Sequence, residues 1–298
     1  MKRNIIQSIV LIAIMGATVS FVACVNKDKA PDTGAATEQF EPDGRFANMD
    51  SLIDCMRNNE LGDQSLDELI DHYQATAAAI KSYWHFNHQN EDSSRVIETV
   101  FNELTARADS LSGGSTMDMV ESNEIRNAIT RYLTAEKYCE KNSGNDLYKE
   151  EMRAWLELEG KLHEFYGDLA QLANWGGSIV NVVNSGTLAN LASVRWQDYG
   201  QLAKGGRYAL CEMSINDART EFIHEIEDAK SLEDDLVDEE GFKQTLNDMR
   251  KAGDELIPLL DKWLATRAKL SESEGILESH TAHVIEFLAS KIQVLIEG

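Results

Sequence analysis

From residue 48 to residue 296, apolar positions recur at spacings of three and four, and no run alternates with period two. Spacings of three and four place side chains on one face of a helix, so the pattern predicts an all-α fold. Ser65-Leu66-Asp67-Glu68 has the form of a capping box and opens a helix to about Phe86. Ile97, Phe101, Leu104, Ala108 and Leu111 form a stripe stopped by Gly113-Gly114. Ile125, Ile129, Tyr132 and Leu133 begin another, ending near Asn142-Ser143-Gly144. Leu158, Leu162, Phe165, Leu169 and Leu172 give the clearest amphipathic helix, terminated at Gly176-Gly177. Two shorter helices are expected over 179–184 and 187–203, separated by Ser185-Gly186, with a further break at Gly205-Gly206. Three more follow over 214–232, 242–270 and 274–296. Seven to nine helices joined by short turns bury such stripes most simply as an antiparallel bundle.

The first residues differ. Lys2 and Arg3 precede an almost wholly apolar stretch from Ile5 to Ala23, which ends at Phe21-Val22-Ala23-Cys24. A basic start, an apolar core and a small residue before the break predict a secretory signal over residues 1–23. The small residue followed by Cys resembles the signal of bacterial lipoproteins. That resemblance implies diacylglyceryl transfer to the Cys24 thiol, a new N-terminus at Cys24 and a location in the cell envelope, facing the periplasm or the cell surface. Phe21 stands where that family usually has Leu. A plain secretory signal and an uncleaved anchor are the alternatives, since the apolar stretch is nearly long enough to span a bilayer. Residues 24–47, with Pro31, Gly34, Pro42 and Gly44 among polar residues, read as a tether. Two helical regions, 48–144 and 145–298, follow it, either separate or as one continuous bundle.

Charge narrows the range of partners. The 298 residues hold 51 Asp and Glu against 28 Lys and Arg, a net charge of −23. Removing residues 1–23 takes away two cations and no anions, leaving 275 residues at −25. Such a surface repels phosphate backbones and attracts cationic proteins, so nucleic acid is disfavoured and a basic protein partner is favoured. With Cys24 lipidated, Cys55, Cys139 and Cys211 permit at most one internal disulfide. No Cys-x-x-Cys occurs, which removes thioredoxin-like and zinc-ribbon chemistry.

Few residues offer catalytic chemistry. His85 and His88, with Glu91, lie three apart; His280 and His283, with Glu286, repeat the spacing. On a helix each trio shares a face and offers two imidazoles and a carboxylate to a metal, but neither is a His-Glu-x-x-His motif. Ordinary polar surface accounts for them more simply. Residues 233–240 are dense in Asp and Glu without the alternation of an EF-hand loop. Gly200 to Gly206 has the glycine spacing of a phosphate loop but lacks the Lys-Ser/Thr that must follow, and no Gly-x-Ser-x-Gly elbow is present. No cofactor is implied and no catalytic residue emerges. Trp155-Leu156 followed by Lys161-Leu162 is echoed by Trp263-Leu264 followed by Lys269-Leu270, an echo for which shared helical patterning is the simpler account.

The segment 147–202 has Trp155 on a long helix, then Gly176-Gly177-Ser178, then Arg195 with Leu202 beyond. In this order of features it resembles the small helical domain of LprI-type lysozyme-inhibitor proteins of the bacterial envelope. It differs in having Leu156-Glu157-Leu158-Glu159 where that family usually has an Arg, and in lacking its paired Cys. The residues themselves predict a buried anchor at Trp155, a helix C-cap at Gly176-Gly177, an N-cap at Ser178, and at Arg195 a clamp on helix-end carbonyls or on a carboxylate. The resemblance implies a non-catalytic binding protein, and in some members inhibition of lysozyme. A metal-binding protein using the His pairs and a structural part of an envelope complex are the other readings.

Overall fold

The computed structural model describes residues 40–57, 65–173, 177–202, 213–232, 240–274 and 278–297. Within them the chain forms nine α-helices: α1 (Met49–Arg57), α2 (Leu66–Asn87), α3 (Val96–Leu111), α4 (Thr116–Lys141), α5 (Asp146–Ala173), α6 (Ser178–Leu202), α7 (Ile215–Lys230), α8 (Glu240–Glu274) and α9 (Glu278–Glu297). No strand occurs among the described residues. The expected signal over 1–23, most of the expected tether, Cys24, Gly176, Gly205-Gly206, Cys211 and the acidic stretch 233–239 lie outside them.

Helix starts follow local chemistry. Ser65 caps α2 through the Glu68 amide, and the Glu68 carboxylate returns to the Ser65 amide at 2.8 Å. Ser115 and Asp118 make the same reciprocal pair at the head of α4, which lengthens that helix by about two turns beyond its expected start. Ser214 caps α7 by accepting from the Asp217 amide at 3.1 Å. Each such cap satisfies amides that the helix itself leaves unpaired.

Two short helices were expected in the region of Gly186, yet α6 runs unbroken from Ser178 to Leu202. The glycine serves a contact. A β-carbon at Gly186 would lie 3.3 Å from the Asn123 amide nitrogen, and that amide donates to the Ser185 hydroxyl at 3.1 Å. A helix tolerates one glycine at a cost of roughly 1 kcal/mol, and here it lets α4 approach. Pro258 likewise sits inside α8 without ending it.

Packing is organised around three apolar clusters. One joins α1 to α4 through residues such as Leu52, Ile80, Leu104 and Ile129. A larger one joins α5 to α9 through Trp155, Phe165, Phe222, Trp263 and Ile285. The third links the two halves, bringing together Leu66, Tyr138, Met152, Tyr199 and Leu270 from α2, α4, α5, α6 and α8. Helices α3 and α4 form an antiparallel hairpin in which the Ser122 hydroxyl donates to the Ala108 carbonyl at 2.7 Å. Helices α5 and α8 are antiparallel, with Lys161–Glu255 and Lys269–Glu150 pairs, both at 2.7 Å, toward the two ends. Residues 43–47, expected as the end of a tether, are instead docked on α2: the Asp43 amide donates to the Ser82 hydroxyl at 3.1 Å, and the Asn87 side chain donates to the Ala47 carbonyl at 3.1 Å. Among the described residues no helix is long and apolar enough to cross a membrane.

Candidate functional site: a buried charge cluster and an acidic face

Arg195 lies where α5, α6, α8 and α9 converge. Its position on the buried face of α6, between Leu191 and Tyr199, removes it from water, and it reaches two carboxylates. Its guanidinium donates both η nitrogens to Glu151, at 2.9 and 2.7 Å, and Nη1 also donates to Asp198 at 2.8 Å. Of the two roles open to Arg195, the structure therefore shows the carboxylate clamp. Arg267 on α8 completes the cluster, donating to Asp198 at 2.9 and 2.6 Å and to Glu151 at 3.3 Å. The Trp263 indole donates to Glu151 at 2.8 Å, and Arg267 Nε donates to the Thr281 hydroxyl at 3.2 Å. Glu151, Arg195, Asp198 and Arg267 are all at most 3 % exposed.

Two cations and two anions make this cluster formally neutral. Burial alone would raise both carboxyl pKa values, but the two arginines overcome it and hold Glu151 and Asp198 below the ordinary range. Neither carboxyl is then a proton donor near neutrality, and neither guanidinium is a base. The Arg195 Nε has no hydrogen-bond partner among the described residues. Its guanidinium instead lies over aromatic faces, 4.7 Å from the Trp155 ring centre and 5.1 Å from that of Tyr199. Chemically the cluster is a closed staple that fixes how four helices meet.

Trp155 is buried as expected. Gly177 adopts φ +96°, and its carbonyl accepts from the Val180 amide at 3.2 Å. The helix thus begins at Ser178 itself, with Gly177 in the capping position expected for Ser178.

The His pairs do not come together as a metal site. His88 Nδ1 meets Glu91 at 2.9 Å and its Nε2 meets Glu103 at 3.0 Å, while the ring stacks on Trp84. His85 is exposed, edge-on to Phe86. His280 is buried and His283 lies 3.8 Å from Glu286. No group of three or more His, Cys, Asp or Glu fit to hold a metal occurs among the described residues. Cys55 and Cys139 are free thiols, both pushed up in pKa by burial.

Carboxylates gather at the surface of α7 and the end of α9, where His224 meets Asp228 at 3.2 Å. Burial and then the neighbouring Asp228, Glu221 and Glu297 carboxylates raise the Glu225 pKa, against the lowering effect of His224. Glu221, Asp228 and Glu297 are exposed. Mutually repelling carboxylates of this kind relax when a cation approaches.

No protein-family model, curated protein or solved structure matches the chain.

Proposed function

We propose that this protein is a lipid-anchored component of the bacterial cell envelope that binds a cationic protein and performs no chemistry of its own. The observation that carries this reading is the contrast between its two kinds of charge. The buried ions are matched two against two, whereas the exposed Glu221, Asp228 and Glu297 crowd Glu225 with His224 as a partial offset. An acidic surface on a rigid helical frame accelerates encounter with basic proteins. The LprI-like order of Trp155, Gly177-Ser178 and Arg195 supports a lysozyme as the partner class, and the signal-like segment ending at Cys24 supports the anchor.

The test is a calorimetric titration with a basic lysozyme at low and high salt, using the parent protein and a Glu221→Gln, Glu225→Gln, Asp228→Asn, Glu297→Gln variant. Binding that weakens with salt, and weakens again in the variant, supports the reading. Absence of binding at low salt, or binding indifferent to both changes, overturns it. A parallel assay of lysozyme activity separates inhibition from simple capture.

A further inference from the structure

We propose that the cleft between α1, α2 and α4 binds a small uncharged polyhydroxylated ligand, of monosaccharide to disaccharide size. The cleft encloses about 360 Å³, within the range of small-molecule sites. It lies in the first half of the fold, apart from the acidic face of α7 and α9.

Three helices line it: α1 supplies the exposed Asp54 and half-buried Arg57, while α2 and α4 turn polar side chains inward, His72 and the buried Thr76 on α2, the buried Asn127 and half-buried Arg131 on α4. In a bundle such faces bury apolar side chains, because a polar group removed from water without a partner is costly. Asn127 is only 7 % exposed as a residue, and its side-chain amide, which hydrogen-bonds to no described residue, opens onto the cleft. That amide offers two donors and an acceptor to whatever fills the cleft. Glu151 in the charge cluster shows the contrast: one of its oxygens accepts from Arg195, Trp263 and Arg267.

The charges of the cleft indicate the ligand class. Arg57 is paired with Glu124, and Arg131 with Glu159 at 3.0 Å. An anionic ligand would have to displace Glu124 or Glu159 from its arginine, and a cation would meet only the solvent-exposed Asp54, whereas a neutral ligand leaves both pairs intact. His72 contacts the Thr76 hydroxyl at 3.3 Å. Burial, and secondarily Arg131, oppose its protonation, while a bond to the Met56 backbone favours it. The tyrosines Tyr73 and Tyr132, ring centres 5.2 Å apart, also line the cleft, with Leu69 and Ala135 as the apolar part of the wall. Directional donors and acceptors around a partly apolar, aromatic wall match the alternating O–H and C–H surfaces of a sugar.

Isothermal titration of the full chain with glucose, N-acetylglucosamine and maltose, alongside glycine, glutamate and phosphate, tests this. Saturable heat with at least one sugar, weakened about tenfold or more by Asn127→Leu, is the expected result; a factor of ten corresponds to one lost net hydrogen bond. The same substitution is expected to keep or raise the melting temperature, since it replaces an unpartnered amide by an apolar group. Tyr73→Phe serves as the second variant should Asn127→Leu fail to fold. No binding of any sugar, sugar binding that both variants leave unchanged, or binding of the charged solutes alone overturns the proposal.

Discussion

Trp155 and Trp263 meet edge to face with ring centres 5.3 Å apart, and each carries an arginine: Arg195 lies over Trp155 at 4.7 Å and Arg267 over Trp263 at 4.9 Å. The sequence echo between the two tryptophan segments is thus a contact in space, at the crossing of α5 and α8. Lys161 and Lys269, six residues beyond each tryptophan, both reach a carboxylate of the opposite helix. The paired indoles and the neutral charge cluster form one unit.

Breaking that unit from one side is expected to be severe. Arg195→Met or Glu151→Leu leaves a buried charge without its partner, at a cost of roughly 3–5 kcal/mol. Replacing Glu151, Arg195, Asp198 and Arg267 together by apolar residues of similar volume is expected to recover most of that loss. Urea unfolding of the single and quadruple variants measures both. Single variants within 1 kcal/mol of the parent would contradict the staple reading.

Glycines on α6 and α8 are predicted to respond in opposite directions. A β-carbon at Gly253 would lie 3.2 Å from each of Ile226, Lys230 and Phe165, whereas nothing lies within 4 Å at Gly200. Gly200→Ala should therefore stabilise by up to about 1 kcal/mol through helix propensity. Gly253→Ala should destabilise by roughly 1–2 kcal/mol, because overpacking outweighs the same gain. Thermal melts of the two variants decide this, and a higher melting temperature for Gly253→Ala would contradict the packing described.

Three partly or wholly buried groups set opposing pH slopes. Burial, with Glu140 adding, pushes Glu136 up from 4.5 to about 7; burial, with Asp248 and Glu164 adding, pushes Asp168 up to about 6. The folded state holds these protons more tightly than the unfolded state, so their contribution to stability falls as pH rises from about 4 to 7. Burial pushes His163 down from 6.5 to about 4, against the raising effect of Glu159, and its Nδ1 has no partner among the described residues. Its contribution falls in the other direction, as pH drops from 6.5 toward 4. Glu136→Gln should stabilise by roughly 2 kcal/mol above pH 7, after allowance for partial solvent screening, and by little below pH 4.5. His163→Leu should flatten the acid limb. Denaturant midpoints from pH 4 to 8 test both, and a Glu136→Gln profile parallel to the parent would contradict the assignment.

The helices were largely legible because their signals are local. Ser65 with Glu68, the stripe from Ile97 to Leu111 and the Gly113-Gly114 stop each act within a few residues. Gly186 misled for a physical reason: a glycine that admits a neighbouring helix reads in one dimension like one that ends its own. The nine-residue α1 carries too few turns to declare itself by periodicity. Arg195 was legible as a clamp, but Glu151, Asp198 and Arg267 were not, since carboxylates abound in this chain. The available signal was positional. Glu151 falls on the face shared by Tyr148, Met152 and Trp155, where an acid has to find a partner. Asn127 and its cleft had no signal in one dimension, because a hollow forms only when three helix faces meet.

Capping gives a further check on the helix starts. Ser115→Ala removes the acceptor for the Asp118 amide and one side of the reciprocal pair, which should cost about 1 kcal/mol. The corresponding Ser65→Ala should cost a similar amount. Chemical denaturation of each variant measures it, and two neutral outcomes would contradict the capping boxes.

Placement in the envelope is the premise on which the binding reading stands, and an intact mass spectrum tests it directly. The protein recovered from a bacterial membrane fraction should begin at Cys24 and carry the added mass of two or three acyl chains. A Cys24→Ser variant should lose that mass and leave the membrane fraction. An unacylated chain beginning at another residue and recovered in the soluble fraction would contradict the account.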